Sequence, residues 1–270
     1  MLTNSEQIAN VAAAFRRFDA SDLAQYRNSG YLIARKLFTP EEIGLMKEAA
    51  ERDLAGASVL TKGDRDGNVV SLAMWSYPTN DIYGMFSRNA RVVDNAELLL
   101  GAPVYLYSAK MVMKNAREGG AWEWHQDYGY WYNYGCLAPT MLSCLIAVDR
   151  ATQENGCLQV LEGSHVIGRV NHDRVNEQTV ADPEHVEAAR KRFPLVYMEL
   201  DPGDAVFFDC NLLHRSDANK SELRRWNYIA SYNTVENQPY KRVREYGNYE
   251  PLVKVPDTAI LDFTRQHAAQ

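Results

Sequence analysis

Residues 122–135 read "WEWHQDYGYWYNYG": three Trp, four Tyr, one His and one Asp within fourteen positions. On a helix, residues two apart look in different directions, whereas on a strand they share a face. His125 and Asp127 can therefore serve one ion only if the stretch is extended. Gly119-Gly120 before it and Gly129 after it argue against a helix. The alternative is a core strand with two incidental polar residues. Regular alternation puts Trp122, Trp124, Gln126, Tyr128 and Tyr130 on the face opposite His125 and Asp127, so Trp122 and Trp124 are expected to pack in the core. Beyond Gly129 the chain is free to bend, which would turn Tyr130, Trp131, Tyr132 and Tyr134 over an ion as a pocket wall.

Outward from this stretch, the hydrophobic period changes near residue 103. "PVYLYSAKMVMK" (103–114), "TMLSCLIAVD" (140–149), "GCLQVLEGS" (156–164), "LVYMEL" (195–200), "DAVFFDC" (204–210) and "RWNYIASYNTV" (225–235) alternate as strands. Turn signals separate them: Glu154-Asn155-Gly156, Glu162-Gly163-Ser164 and Asp201-Pro202-Gly203-Asp204. Before 103 the chain reads mainly helical. Ile8, Val11 and Phe15 recur at helical spacing, Thr39-Pro40 with Glu42 forms a capping box before Ile43, Met46, Ala50 and Leu54, and a further helix spans about 88–100. A strand is expected from Tyr31 to Phe38, and a helix over 183–192 behind Asp182-Pro183. "TKGDRDGN" (61–68) reads as a mobile loop. Short strands following helices predict a mainly β protein, a jelly roll or double-stranded β-helix of cupin type. The division expected is one domain over 1–270, with 1–102 a helical outer layer and 103–240 the jelly-roll core.

The bulk numbers narrow the classes. A chain of 270 residues, 46% hydrophobic, can bury one large core. Its net charge of −6 and lack of a basic cluster argue against nucleic acid. No apolar run reaches bilayer length and no secretion signal opens the chain, and Cys136, Cys144, Cys157 and Cys210 form no C-x-x-C pair. A soluble cytoplasmic protein is expected, with a small-molecule partner, and monomer and homo-oligomer remain open alternatives.

His125 and Asp127 make two ligands. Of the other histidines, His185 lies on a polar helix, His267 near the end of the sequence, and His165 and His172 flank a loop. His214 follows a strand launched from a tight turn, where a ligand on a barrel rim would sit. Two His and one carboxylate leave open coordination positions, as in non-haem Fe(II) oxygenases, whereas a structural zinc is closed by four protein ligands. Eleven residues after His214, Arg225 points inward if its strand pairs with the one preceding His214. An inward Arg requires an anion, and its fork fits a carboxylate in two-point fashion. Arg224 faces the other way.

These blocks together resemble the phytanoyl-CoA dioxygenase family, which includes the ectoine hydroxylases. The resemblance runs through "YRNSGYLIARKLFTPEEI", "WHQD", "QENGCLQVLEGSH" and "DPGDAVFFDCNLLHRSDANKSELRRWNYIASY". It implies a double-stranded β-helix using Fe(II), 2-oxoglutarate and O2. It further implies that His125, Asp127 and His214 ligate iron and that Arg225 and Ser216 hold the far carboxylate of 2-oxoglutarate. Lys110 falls where the family touches the cosubstrate. The Lys that the acyl-CoA enzymes use earlier in the chain has no counterpart, and Trp75 falls near its place. The resemblance further implies hydroxylation of a C–H bond with release of succinate and CO2, because halogenating members lose the carboxylate kept here as Asp127.

Tyr130, Trp131 and Lys114 are expected to meet the substrate, with Arg117, Lys62 and Arg65 as further candidate cations. Tyr228 and Tyr232 are placed on the Arg225 face. A small polar metabolite is expected, with acyl-CoA as the alternative substrate class. The competing classes are a metal-dependent lyase or isomerase and a non-catalytic binding barrel on the same fold.

Overall fold

The computed structural model describes residues 17–54, 59–64, 66–241 and 249–268. The helix expected around Ile8, Val11 and Phe15 lies outside them, as do Arg65 and the side chain of His267. Chain order begins α1 (Ala20–Ser29), β1 (Tyr31–Ala34), α2 (Pro40–Leu54), β2 (Leu60–Gly63), β3 (Val69–Trp75), α3 (Ile82–Ser87) and α4 (Ala90–Leu100). It continues with β4 (Val104–Lys114), β5 (Trp122–His125), α5 (Asp127–Trp131), β6 (Met141–Ala147), β7 (Leu158–Leu161), β8 (His172–Val175) and β9 (Gln178–Ala181). Last come α6 (Pro183–Arg190), β10 (Leu195–Met198), β11 (Ala205–Asp209), β12 (His214–Ser216), β13 (Arg225–Thr234) and α7 (Ala259–Ala268).

Seven strands form one sheet in the order β1-β11-β6-β13-β4-β3-β2, and four form a second in the order β10-β7-β12-β5. Every strand pairing in the two is antiparallel, the arrangement of a jelly roll. One face of the larger sheet packs on the helices: Met111, Cys144, Phe207, Tyr228 and Tyr232 join Ile43, Met46, Phe86, Val92 and Ala96 in one core. The other face meets the smaller sheet, where Leu145, Val206 and Phe208 pack on Val160 and Leu212. Strand β6, covered on both sides, is buried throughout.

Local chemistry sets the helix starts as the residues suggest. Thr39 Oγ1 accepts from Glu42 N at 3.2 Å while Glu42 Oε2 accepts from Thr39 N at 2.8 Å. Glu42 also takes two guanidinium bonds from the fully buried Arg91, at 3.0 Å each, which ties α2 to α4. Asp182 caps α6 by accepting from His185 N. None of the four cysteines forms a disulfide in the described structure, and all four are buried. Among the described residues no helix is long and apolar enough to cross a membrane.

Three expectations change. Of the stretch read as a loop, residues 61–63 belong to β2, which pairs with β3, and the turn between the two strands is pinned by Asp64 accepting from Asp66 N, Asn68 N and Ala121 N. The strand from Tyr31 stops at Ala34, because Lys36 turns at φ 52 and gives its N–H to Asp204. The extended run through 122–129 ends at His125, and Asp127 opens the short helix α5. Gly129 lies inside that helix for a steric reason: a Cβ there would stand 2.1 Å from the His172 ring.

Candidate metal centre

His125 and His214 face each other directly across the β5–β12 pair, with ring centroids 4.0 Å apart. Directly opposed residues of an antiparallel pair place their side chains side by side on one face. Each ring is oriented by the carbonyl two residues earlier: His125 Nδ1 donates to Glu123 O at 2.8 Å, and His214 Nδ1 to Leu212 O at 2.9 Å. Both Nε2 atoms are thereby left as lone-pair donors. They converge on one oxygen, Asp127 Oδ1, at 3.7 and 4.0 Å. The ligand atoms of the three buried residues all lie within 4.8 Å of one another, room for one cation between them.

The electrostatics suit ligands. Burial pushes both imidazoles down, well below the usual range for His125, where neighbouring His214 adds to the effect, so both are neutral near pH 7. Burial alone would raise the Asp127 carboxyl, but the positive field of Lys110 and the two imidazoles, with the Tyr130 hydroxyl, outweighs it and holds the group at about 2. Tyr130 OH donates to Oδ1 at 2.6 Å and Ser143 Oγ to Oδ2 at 2.8 Å.

Gln126, between His125 and Asp127, is fully buried and bonded at every polar group. Its N–H donates to His172 Nε2 at 2.8 Å, its amide nitrogen to Gly168 O and Asn211 O at 2.7 Å each, and its Oε1 accepts from Val170 N at 2.8 Å. His172 Nδ1 donates to Val170 O, and burial lowers this ring to about 4. Gln126 and His172 thus hold the 125–127 backbone from outside, a role that sequence reasoning missed. The available signal was that a polar residue on a face of Trp and Tyr needs partners.

A cavity runs from these three side chains between the two sheets. At the far end stand Lys114, Ser216 and Arg225, all buried. Lys114 and Arg225 are register partners on β4 and β13. Lys114 Nζ donates to Ser216 Oγ at 2.8 Å and to Asp217 O at 2.6 Å. Burial, and then the adjacent guanidinium, push the Lys114 ammonium well down, and burial lowers Arg225 to about 10. Arg225 Nη1 reaches the Asn227 side-chain oxygen once that amide is oriented to accept, while its buried Nε has no hydrogen-bond partner among the described residues. Two buried cations side by side at the cavity end, one with an orphaned donor, call for an anion.

Several sequence expectations are corrected here. Arg225 does point inward, but β13 lies between β4 and β6 and does not pair with the strand before His214. Arg224 faces away and pairs with Asp149 and Glu51. Lys114, expected to meet the substrate, stands in the cavity as the register partner of Arg225. Trp131 is not at the cavity but in a core with Tyr105 and Tyr107, because α5 turns it inward. Tyr130 touches Asp127 itself. Trp122 does line the cavity, against simple alternation. The register slips between His214 and Ser216, where the two steps of β12 face three of β5, and this bulge flips the parity. Tyr228 and Tyr232 lie three and seven residues past Arg225, an odd spacing, and point into the helix-side core with hydroxyls on Tyr83 O and Ser87 O. Trp75 stacks on Tyr83 on that same side, and β3 presents Leu72 to the cavity. Arg117 pairs with Glu222 at the surface.

Residues 26–226 match the family model described as phytanoyl-CoA dioxygenase (PhyH). The chain belongs to the phytanoyl-CoA dioxygenase family. Within this family it is 27% identical to an ectoine dioxygenase of Bordetella parapertussis over 81% of this chain and 76% of that protein. It is 33% identical to an L-proline trans-4-hydroxylase of Streptomyces griseoviridis over 61% and 68%. The crystal structure of EctD from S. alaskensis with bound Fe superposes with a TM-score of 0.75 at 25% identity, covering 88% of each chain. This member of the phytanoyl-CoA dioxygenase family is a non-haem iron, 2-oxoglutarate-dependent oxygenase acting on a small molecule.

Proposed function

We propose that His125, Asp127 and His214 hold Fe(II), and that Arg225, Ser216 and Lys114 hold the far carboxylate of 2-oxoglutarate, in an enzyme that hydroxylates an unactivated C–H bond of a small amino-acid-like metabolite. The donor set supports iron: two neutral imidazoles and an ionised carboxylate, with no fourth His, Cys, Asp or Glu in the cluster among the described residues. The observation that carries the reading is the pairing of that triad with buried Arg225 and Lys114 at the other end of one cavity. A dicarboxylate spanning the cavity would satisfy the Arg225 Nε and offset the repulsion between two adjacent cations. A non-oxidative lyase has no use for such an anchor.

When bound, iron and 2-oxoglutarate supply the oxidation, in which O2 is consumed, succinate and CO2 leave, and one oxygen atom becomes the product hydroxyl. The protein's part is placement. Glu123 O and Leu212 O fix the imidazole tautomers, and Tyr130 and Ser143 hold the carboxylate oxygens. The apolar walls of Leu72, Leu145 and Ile229 exclude water between the two ends. Asp127 occupies the position that a chloride would need, which favours hydroxylation. The relatives that act on ectoine and proline motivate the substrate class.

The test is conversion of 2-oxoglutarate to succinate with added Fe(II), together with the visible band of the anaerobic Fe(II)–2-oxoglutarate complex. Asp127→Ala is expected to abolish both and Arg225→Ala to weaken cosubstrate binding at least tenfold, the size of a lost charge-assisted bond. Turnover unchanged in both variants would end this reading.

A further inference from the structure

Lys110 lines the cavity, yet it belongs neither to the triad nor to the anchor at the far end. It lies on β4 four residues from Lys114, and the even spacing puts both on the cavity face, roughly 13 Å apart along the strand. Its row across the sheet is apolar, with Met74 on one side and Ile229 on the other. Its field reaches Asp127 and both imidazoles. It makes no ion pair with that carboxylate, whose two oxygens accept from the hydroxyls of Tyr130 and Ser143. Among the described residues the Lys110 ammonium has no side-chain hydrogen bond and no ion pair. Met74 beside it is 42% exposed, so this end of the face opens outward, and Trp122 walls the cavity on the opposite sheet.

We infer that Lys110 is the specificity-determining residue of the site and that it binds a carboxylate of the substrate, so that the substrate is a compact small-molecule acid. This rests on the reading of the triad and anchor given above. The half-buried ammonium at the metal end supplies one point charge, suited to one carboxylate oxygen pair. The cosubstrate's far carboxylate is served at the opposite end by Arg225, Lys114 and Ser216. A substrate carboxylate on Lys110 would lay the carbon skeleton across Trp122 and Ile229, next to the ligands. Carboxamides and esters of the same skeleton would lose the charge interaction and bind worse.

The test is a panel of proline-like and other small amino acids with their matched carboxamides. It is read by stimulated succinate formation, and by calorimetric binding to anaerobic protein loaded with Zn(II) and 2-oxoglutarate. Wild type is expected to respond to one or more carboxylates and to their carboxamides at least tenfold less. Lys110→Met is expected to raise KM and Kd for the responding acid about tenfold to a hundredfold, the loss of one charge-assisted hydrogen bond, with kcat changed less. Lys110→Arg should recover most of the binding, which separates a lost charge from a damaged fold. Affinity for 2-oxoglutarate should be unchanged in both variants. If Lys110→Met weakened 2-oxoglutarate binding instead, Lys110 would belong to the cosubstrate and the inference would fall. It would fall equally if no carboxylate responded, or if the amides responded as well. Absence of any 2-oxoglutarate binding in wild type would instead overturn the underlying reading of triad and anchor.

Discussion

The Tyr130 hydroxyl donates to Asp127 Oδ1, the same oxygen that faces the Nε2 atoms of His125 and His214. With Ser143 on Oδ2, the carboxylate is held at both oxygens, so its presentation to an ion is set before any ion arrives. Outer partners of this kind typically matter about ten- to a hundredfold in metal affinity or activity. Tyr130→Phe keeps the ring and removes only the donor. It is expected to weaken Fe(II) binding by that order while far-ultraviolet circular dichroism stays the same, and an unaltered metal titration would refute the role.

Lys114→Met separates the two ends of the cavity. It removes one of two adjacent buried cations and leaves Arg225 in place. Cosubstrate affinity should fall at least tenfold, on the order of 1.5–3 kcal/mol for a bond to a charged group, while Fe(II) affinity without 2-oxoglutarate stays at the wild-type value. Isothermal titration with each ligand in turn decides it; equal losses for both would place Lys114 in a general structural role.

Gly129 makes a steric prediction with opposing terms. Ala is the better helix former by about 1 kcal/mol, yet a Cβ at 129 would collide with the His172 ring at 2.1 Å. Overpacking in a tight site costs on the order of 1–3 kcal/mol or more, so the clash wins. Gly129→Ala is expected to lower the melting temperature by several degrees, about 2–4 °C per kcal/mol for a chain of this size. Combining it with His172→Ala should recover part of that loss, since the ring is the obstacle. A melting temperature at or above wild type in the single variant would contradict the contact.

His172 also sets a pH dependence. Its folded pKa is about 4 against an ordinary 6.5, so the folded state resists the proton that the unfolded chain accepts. Between those values the unfolded state binds more protons, and stability must rise with pH. The metal-free protein should therefore lose stability as pH falls from about 6.5 towards 4, with His125 and His214 acting in the same direction. His172→Gln should flatten that slope by as much as one proton. Denaturant melts at several pH values measure it, and parallel curves for the two proteins would rule out the contribution.

The residues alone carried much of this. The alternation in β4, β6, β11 and β13, the capping box at Thr39 and Glu42, and the turn at 201–204 are local signals, because propensity and periodicity act over a few residues. His125, Asp127 and His214 stood out because metal chemistry restricts the residue types to very few. What tertiary structure alone decided was pairing and face. Strand parity counts residues, and one bulge opposite His214–Ser216 is enough to bring Trp122 to the cavity. Which strands flank β13 determines that Arg225 meets Lys114, and which ring lies under residue 129 determines that it must be Gly. These are contacts between segments distant in the chain. Their geometry depends on register and close packing, which no local run of residues encodes.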